Sequence, residues 1–503
     1  MNWLSLKSGS DVRGTACGEG ITLTAEIAAS LGTAFVQMLC DMKQKEAKDI
    51  VIALGRDSRI SGPDLLRAVA EGAVRGGASV LDFGLCTTPA MFMSTITPGF
   101  EPDGAIMITA SHHPWNKNGL KFFTNRGGLE GLQVGELLEK AQLLSEQKQV
   151  PEESRIYPKD FLSVYMKQLA DRISAGLPDA GDKPLQGLHV AVDAGNGAGG
   201  FYEQVLRQLG ADTAGSQFLD PDGHFPNHIP NPENADAMKS LQRAVLNAHA
   251  DLGVIFDADC DRAAIVDADG KEINRNRLIA LVSAVLLDET PGQTIVTDSV
   301  TSSGLTAFIA QHGGVHYRFK RGYRNVIDEA IRLNKEGISC PLAIETSGHA
   351  ALKENHFLDD GMYLVTVLMI RAVKMKQAGK SLGSLISDLK EPVETAELRL
   401  NITDDDFRSA GESVIREVMS YAQNNNRWQI DPENREGIRI QFDLNGQPHS
   451  GWFLLRLSVH DPVLPLNAES DIPGGIRTMM TELYAVLKDC RGIDLQALAS
   501  AVK

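Results

Sequence analysis

Short apolar runs followed by polar turns recur along the chain. Asp49 opens the apolar run 50–54, which leads into Gly55-Arg56-Asp57-Ser58-Arg59 and a helical stretch. Residues 188–192 lead into Asp193-Ala194-Gly195-Asn196-Gly197 and a second helix, and 294–297 into Asp298-Ser299-Val300-Thr301 and a third. Each run reads as a buried strand, a turn and an amphipathic helix, the repeating unit of α/β structure. The spacing is irregular, so the repetition is on the scale of domains rather than of a solenoid.

Polar stretches predict the boundaries. Residues 145–154 are polar, a break falls near 275, and Leu389-Lys390-Glu391-Pro392 closes a further segment. The expectation is three α/β domains over 1–153, 154–275 and 276–391, with a different C-terminal domain over 392–503. In that last part 451–459 reads as a strand, and Asp404-Asp405-Asp406 reads as a helix cap or a solvated helix start. The C-terminal domain is therefore expected to be α+β.

Composition narrows the class. A chain of 503 residues exceeds one ordinary core, and 43% hydrophobic with 23% charged residues is globular usage. A net charge of -16 argues against nucleic acid as the main partner, because a phosphate backbone demands clustered cations. It leaves room for small phosphorylated ligands bound at locally basic sites. Six scattered cysteines without a CxxC pair point to reduced thiols and a cytoplasmic setting. No segment reaches transmembrane length, so no membrane partner is expected.

Two loops stand out chemically. The apolar run 105–108 delivers Thr109-Ala110-Ser111-His112-His113-Pro114-Trp115-Asn116-Lys117-Asn118-Gly119-Leu120-Lys121, a compact polar loop that makes Ser111 a candidate phosphate carrier. The apolar run 252–256 delivers Asp257-Ala258-Asp259-Cys260-Asp261-Arg262. Alternating carboxylates in an extended loop converge on one side, and their repulsion is relieved by a cation. Oxygen ligands alone favour Mg²⁺ or Ca²⁺. An EF-hand is rejected, since Arg262 and Ala268 stand where it needs Gly and Glu.

Four weaker features follow. Glu345-Thr346-Ser347-Gly348-His349, after the apolar run 342–344, suits vicinal hydroxyls of a sugar, or is a plain turn. Arg456-Leu457-Ser458-Val459-His460-Asp461-Pro462 places an arginine and a serine on one side, as an anion requires. Lys320-Arg321-Gly322-Tyr323-Arg324 is a basic cluster or a solvated helix start, and Arg13 lies in a Gly-flanked turn. Gly195-Asn196-Gly197-Ala198-Gly199-Gly200, with Asp220 downstream, imitates a dinucleotide fingerprint but is read as a strand-to-helix turn. Gly379-Lys380-Ser381 lacks the earlier glycine of a P-loop, and Ser111 lacks the G-x-S-x-G elbow of a hydrolase.

In this order the loops resemble those of the α-D-phosphohexomutase superfamily, in particular its phosphomannomutase/phosphoglucomutase branch. Gly55 to Gly62, Pro221-Asp222-Gly223-His224-Phe225-Pro226 and Pro230-Asn231-Pro232 resemble it too, so the likeness spans nearly the whole chain. The resemblance implies three similar α/β domains around a central cleft plus a smaller C-terminal α+β domain. It implies an isomerase that interconverts hexose 1-phosphates and 6-phosphates of mannose or glucose. The route runs through phosphoserine and a hexose 1,6-bisphosphate that turns around in the cleft and also serves as activator. Phosphoglucosamine mutase, or a sugar-phosphate-binding paralogue without turnover, are the alternatives.

The same resemblance assigns roles. Ser111 is the phosphoserine, with Lys121, Arg13 and His349 as candidate proton carriers. Asp257, Asp259, Asp261 and Ser111 would hold Mg²⁺. His112, Arg262, Lys320, Arg321, Glu345, Ser347, His349, Arg456 and Ser458 would bind the substrate. A monomer or dimer is expected. Two positions depart from the family pattern. His113 replaces the usual Asn after Ser-His, and the loop after Arg456 lacks the family's further arginine, which leaves fewer donors for the phosphate that is not transferred.

Overall fold

The computed structural model describes residues 2–145, 155–458 and 461–502. The expected boundary at 153/154 and the loop residues Val459 and His460 lie outside them. The chain forms two compact units, 1–274 with 347–384, and 275–346 with 385–503.

Among the described residues, two sheets lie wholly within the first unit. One runs, edge to edge, through Lys7–Ser8, Asp11–Thr15, Lys117–Thr124, Gly104–Ile108, Val51–Arg56, Ser79–Leu85 and Ile156–Pro158. Val51–Arg56 is parallel to both Ser79–Leu85 and Gly104–Ile108, whereas Lys117–Thr124 is antiparallel to Gly104–Ile108 and to Asp11–Thr15. Every residue of Gly104–Ile108 is buried, as its unbroken apolar run requires of a strand covered on both faces. Helices Ala25–Lys43, Gly62–Arg75 and Gly131–Leu144 supply Leu31, Phe35, Val69 and Leu137 to the core beneath Ile52, Ile106 and Ile108. Thr24 caps the first of these helices by accepting from the Ile27 N–H.

The second sheet of this unit orders Val190–Asp193, Leu252–Phe256, Ala263–Asp267 and Glu272–Ile273. Leu252–Phe256 is parallel to Val190–Asp193 and antiparallel to Ala263–Asp267, and both members of that hairpin are wholly buried. The aspartate-rich loop is therefore a hairpin tip on a rigid support. Helix Gly361–Gln377 is capped by Asp360, whose carboxylate accepts from the Tyr363 N–H at 2.8 Å and from the Tyr165 hydroxyl at 2.7 Å.

The second unit pairs Val315–Phe319, Thr294–Asp298 and Leu342–Ile344 in parallel, with helices Asn276–Glu289, Ser303–Gln311 and Tyr323–Lys335. Its other sheet is antiparallel in the order Glu394–Asn401, Val463–Ser470, Gln447–Leu455, Ile438–Leu444 and Gln429–Ile430. Helices Phe407–Gln423 and Gly475–Leu487 add Val414, Val418, Met479 and Leu483 to a core with Trp428, Phe442 and Phe453. Asp406 caps Phe407–Gln423 through the Ser409 N–H, one of the two roles expected of the aspartate run. The strand expected over 451–459 is Gln447–Leu455, four residues earlier at its start. The reason is a hairpin with Ile438–Leu444 that extends the ladder backwards to Leu444↔Gln447.

The class is thus mixed α/β with a β-rich C-terminal part, as the sequence predicts. Among the described residues no helix is long and apolar enough to cross a membrane, and no disulfide is present.

Candidate active site

Ser111 leaves the end of strand Gly104–Ile108 in the left-handed region, at φ 51°, which a residue with a side chain adopts at a cost. Two relays hold it there. The Ser111 N–H donates to Thr109 Oγ1 at 2.8 Å, and Thr109 donates to Asp57 Oδ2 at 2.6 Å. The fully buried Arg59 donates Nη1 to the carbonyls of Pro114 and Lys117 at 2.7 and 2.8 Å. Its Nη2 donates to the carbonyls of His113, at 2.6 Å, and of Ser111. Its Nε closes on Asp57 Oδ2 at 3.2 Å. One guanidinium thus ties four carbonyls of the loop, which its planar fork can do and a lysine cannot.

Gly119 completes the support. A Cβ there would meet Val12 O at 2.3 Å and Thr109 O at 2.8 Å, so only glycine lets the strand carrying Arg13 approach this loop. Arg13 pairs with Asp11 at 2.8 Å.

Asp257, Asp259 and Asp261 are buried, and one carboxylate oxygen from each lies within 4.8 Å of the others. They meet because the hairpin tip turns tightly, not because an extended loop alternates. The Cys260 N–H closes back on the Asp257 carbonyl at 3.2 Å, with Cys260 itself left-handed at φ 68°. Lys121 Nζ stands 2.5 Å from Asp261 and 3.0 Å from Asp259. Ser111 Oγ donates to Asp257 Oδ2 at 2.9 Å. Arg262 donates Nε to Asp257 at 3.1 Å, Nη2 to Ser111 Oγ at 3.3 Å, and also reaches His112 Nδ1.

The electrostatics show a cluster short of positive charge. Burial, and then the like charge of Asp261, push Asp257 well above the usual carboxylate range. Burial would raise Asp261 too, but Lys121, His349 and Arg262 outweigh it and bring Asp261 down. Asp259 Oδ1 and Asp261 Oδ1 are buried and accept no hydrogen bond from the described residues. Three converging carboxylates with two uncommitted oxygens beside a serine hydroxyl form an all-oxygen donor set. That set fits a hard divalent cation such as Mg²⁺.

Histidines line this part of the first unit as neutral rings. Burial, reinforced by Arg262, lowers His112 to about 2, so its Nδ1 accepts from Arg262. Burial lowers His349 to about 3, with Arg262 and Lys121 adding to it, although Asp261 opposes. His349 Nδ1 lies 3.9 Å from Asp261 and 3.5 Å from Asp359. Ser347 Oγ is buried without a hydrogen-bond partner among the described residues.

The remaining candidates belong to the second unit. Glu345 accepts from the Gly322 N–H at 2.6 Å, and Arg321 Nε lies 4.0 Å from Asp298. Arg456 Nε is buried and takes no hydrogen-bond partner among the described residues. Ser458 Oγ accepts from the Asp461 N–H at 3.2 Å. Lys320 is exposed.

Sequence reasoning missed Arg59 and Thr88. Arg59 sits in the segment Gly55 to Gly62, whose Asp-x-Arg spacing after a buried strand was a usable signal. Thr88, which donates to Asp259 Oδ2 at 2.5 Å, carries none. The dinucleotide-like glycines are a turn whose amide groups are spent internally. Asn196 N–H bonds Phe218 O at 2.8 Å, Gly197 N–H bonds Ala194 O at 2.8 Å and Ala198 N–H bonds Ala258 O at 2.9 Å, so these amides are not offered to a pyrophosphate.

Comparison with known proteins shows the family of the chain. Residues 5–141, 163–270 and 274–393 match the families described as phosphoglucomutase/phosphomannomutase alpha/beta/alpha domains I, II and III. A phosphoglucomutase of Neisseria gonorrhoeae is 30% identical over 95% of this chain and 95% of its own. A phosphomannomutase/phosphoglucomutase of Pseudomonas aeruginosa is 29% identical over 95% of this chain and 94% of its own. The crystal structure of a phosphoglucomutase/phosphomannomutase family protein from Burkholderia thailandensis covers 98% of both chains, with a TM-score of 0.78 at 25% identity. With matched domains covering most of its length and relatives matched end to end, the chain belongs to the phosphoglucomutase/phosphomannomutase family of the α-D-phosphohexomutase superfamily.

Proposed function

We propose that the protein is a phosphohexomutase that moves a phosphoryl group between the 1- and 6-positions of glucose or mannose through phosphorylated Ser111. The observation that carries this reading is Ser111 Oγ, 2.9 Å from Asp257 within the three-carboxylate cluster.

The chemistry is positioning and charge neutralisation more than covalent invention. As the sugar hydroxyl bonds phosphorus it loses a proton, and the Ser111 Oγ–P bond breaks with its electron pair going to Oγ. The bisphosphate then turns, and the reverse transfer restores the phosphoserine. Arg262, already 3.3 Å from Ser111 Oγ, offsets charge on the moving group. Lys121, fixed by Asp259 and Asp261, is the proposed proton carrier, with Arg13 and His349 as the other candidates. Ser347, with its uncommitted hydroxyl, and neutral His349 offer hydrogen bonds to sugar hydroxyls, as does Glu345. Asp257, Asp259, Asp261 and the Ser111 oxygen would hold Mg²⁺, which when bound offsets phosphate charge. Arg456, Ser458 and Arg321, with Lys320, would hold the phosphate that is not transferred.

Incubation with glucose 1,6-bisphosphate and Mg²⁺ should leave one phosphate on Ser111, read by mass spectrometry. A panel of mannose, glucose and glucosamine 1-phosphates should then show isomerisation. No phosphoserine and no isomerised sugar would overturn the reading. Turnover confined to the glucosamine ester would reassign the substrate, and bisphosphate binding without turnover would indicate a non-catalytic paralogue.

A further inference from the structure

The second unit contains a carboxylate placed among the groups to which the non-transferred phosphate is assigned. Glu436 lies in the turn before strand Ile438–Leu444. The next residue, Gly437, is left-handed at φ 53°, and a Cβ there would meet Leu455 O at 2.2 Å and Arg456 Cα at 2.8 Å. Glycine therefore seats this turn directly against the Arg456 backbone. Glu436 Oε2 accepts from the Arg321 N–H at 3.1 Å and from the Ser299 hydroxyl. Burial lowers the Arg456 pKa, and Glu436 is the strongest charge opposing that, while the like charge of Arg321 adds to it. A backbone N–H and a serine hydroxyl, with the charge of the Arg456 guanidinium in reach, are what a phosphate takes. Of the other carboxylates that act on Arg456, Asp298 is committed to the Thr346 hydroxyl at 2.8 Å and Glu397 acts more weakly.

We propose that Glu436 tunes substrate binding, as an internal anion that competes with the non-transferred phosphate for the Arg321 N–H, the Ser299 hydroxyl and the charge of Arg456. The inference rests on the assignment of those two arginines to that phosphate. Its physical content is a deliberately weak hold. Each catalytic cycle requires the bound phosphate to leave so that the bisphosphate can turn, and a carboxylate that takes back the same donors lowers the cost of release. It compounds the absence of a further arginine after Pro462.

The test is Glu436→Gln, which keeps an acceptor for Arg321 and Ser299 but removes the charge. The expected result is a KM for hexose 1-phosphate lower by about tenfold, the scale of one nearby charge pair. Inhibition by inorganic phosphate should tighten in parallel, with kcat no higher than that of the wild type. Glu436→Asp should keep the wild-type KM. An unchanged or higher KM and unchanged phosphate inhibition in the glutamine variant would overturn the inference. Glu436→Ala removes the charge in a second way and is read identically should the glutamine variant fold poorly. Arg456→Gln separates the two levels. If it leaves KM unchanged, the assignment of the phosphate site fails. If it raises KM while Glu436→Gln does not lower it, only the role of Glu436 fails.

Discussion

The guanidinium of Arg59 donates to the backbone carbonyl of Ser111, 52 residues further along the chain. The same group takes the carbonyls of His113, Pro114 and Lys117, so a single buried side chain defines the path of the loop that presents the serine. Its charge is met by Asp57, which also anchors Thr109 and, through Thr109, the Ser111 N–H.

Arg59→Lys should therefore lower kcat by about 100-fold, the order expected when a reacting group shifts by about 1 Å. The charge opposite Asp57 survives in this variant, but four carbonyls lose their shared donor. Steady-state kinetics together with hydrogen exchange across 109–118 checks it. A variant with wild-type kcat and unchanged exchange would show that the loop does not depend on the fork.

Ser111→Ala should abolish the phosphoenzyme and reduce mutase activity by at least about 1000-fold, because no alternative nucleophile stands at that position. The thermal midpoint should barely move, since the hydroxyl makes contacts chiefly to the charged cluster. The checks are intact mass after bisphosphate treatment, a coupled assay and a melting curve.

Asp261→Asn should weaken activation by Mg²⁺ by about 100-fold or more, as loss of a charged ligand exceeds the effect of losing a supporting one. Titration of activity against Mg²⁺ measures the shift. Chelation of the wild type should abolish activity, and restoring Mg²⁺ should recover it.

His316 offers a pH prediction remote from the cluster. Its ring lies buried between the Thr297 and Thr306 hydroxyls, at 2.8 and 2.7 Å. Burial, and then Arg318 and Arg439, hold it well below its ordinary 6.5. The folded pKa is depressed, so the unfolded chain binds the extra proton. The stability contributed by the neutral ring is present above about pH 6.5 and lost as the pH falls below it. The loss approaches about 1.4 kcal/mol per pH unit. His316→Gln should remove that portion of the slope between about pH 6.5 and 5, read as the difference between the two denaturation series. Parallel wild-type and variant curves would show that His316 is not a source of it.

The two central loops were legible because each follows an unbroken apolar run. Residues 105–108 and 252–256 declare buried strands, and a polar loop straight after such a strand has few roles besides chemistry. The Asp-x-Asp-x-Asp spacing likewise pointed to a cluster of carboxylates that could hold a metal ion, although its convergence comes from a tight turn at Cys260 and not from an extended loop. Thr88 was invisible, since nothing in its local sequence marks a threonine that will reach Asp259, 171 residues away.

By itself, then, the sequence determined the class of fold, the strand-borne loops at Ser111 and Asp257 to Arg262, and the kind of chemistry their residue types allow. These follow from local periodicity and composition, which act over a few residues. The tertiary structure decided the rest. It brought Ser111 Oγ to 2.9 Å from Asp257 across 146 residues of chain. It gave Arg59 four carbonyls to hold, made His112 and His349 neutral by burying them beside cations, and set Glu436 against Arg321. Distances, desolvation and shared protons are properties of groups far apart in the chain, so they exist only once folding has placed them together.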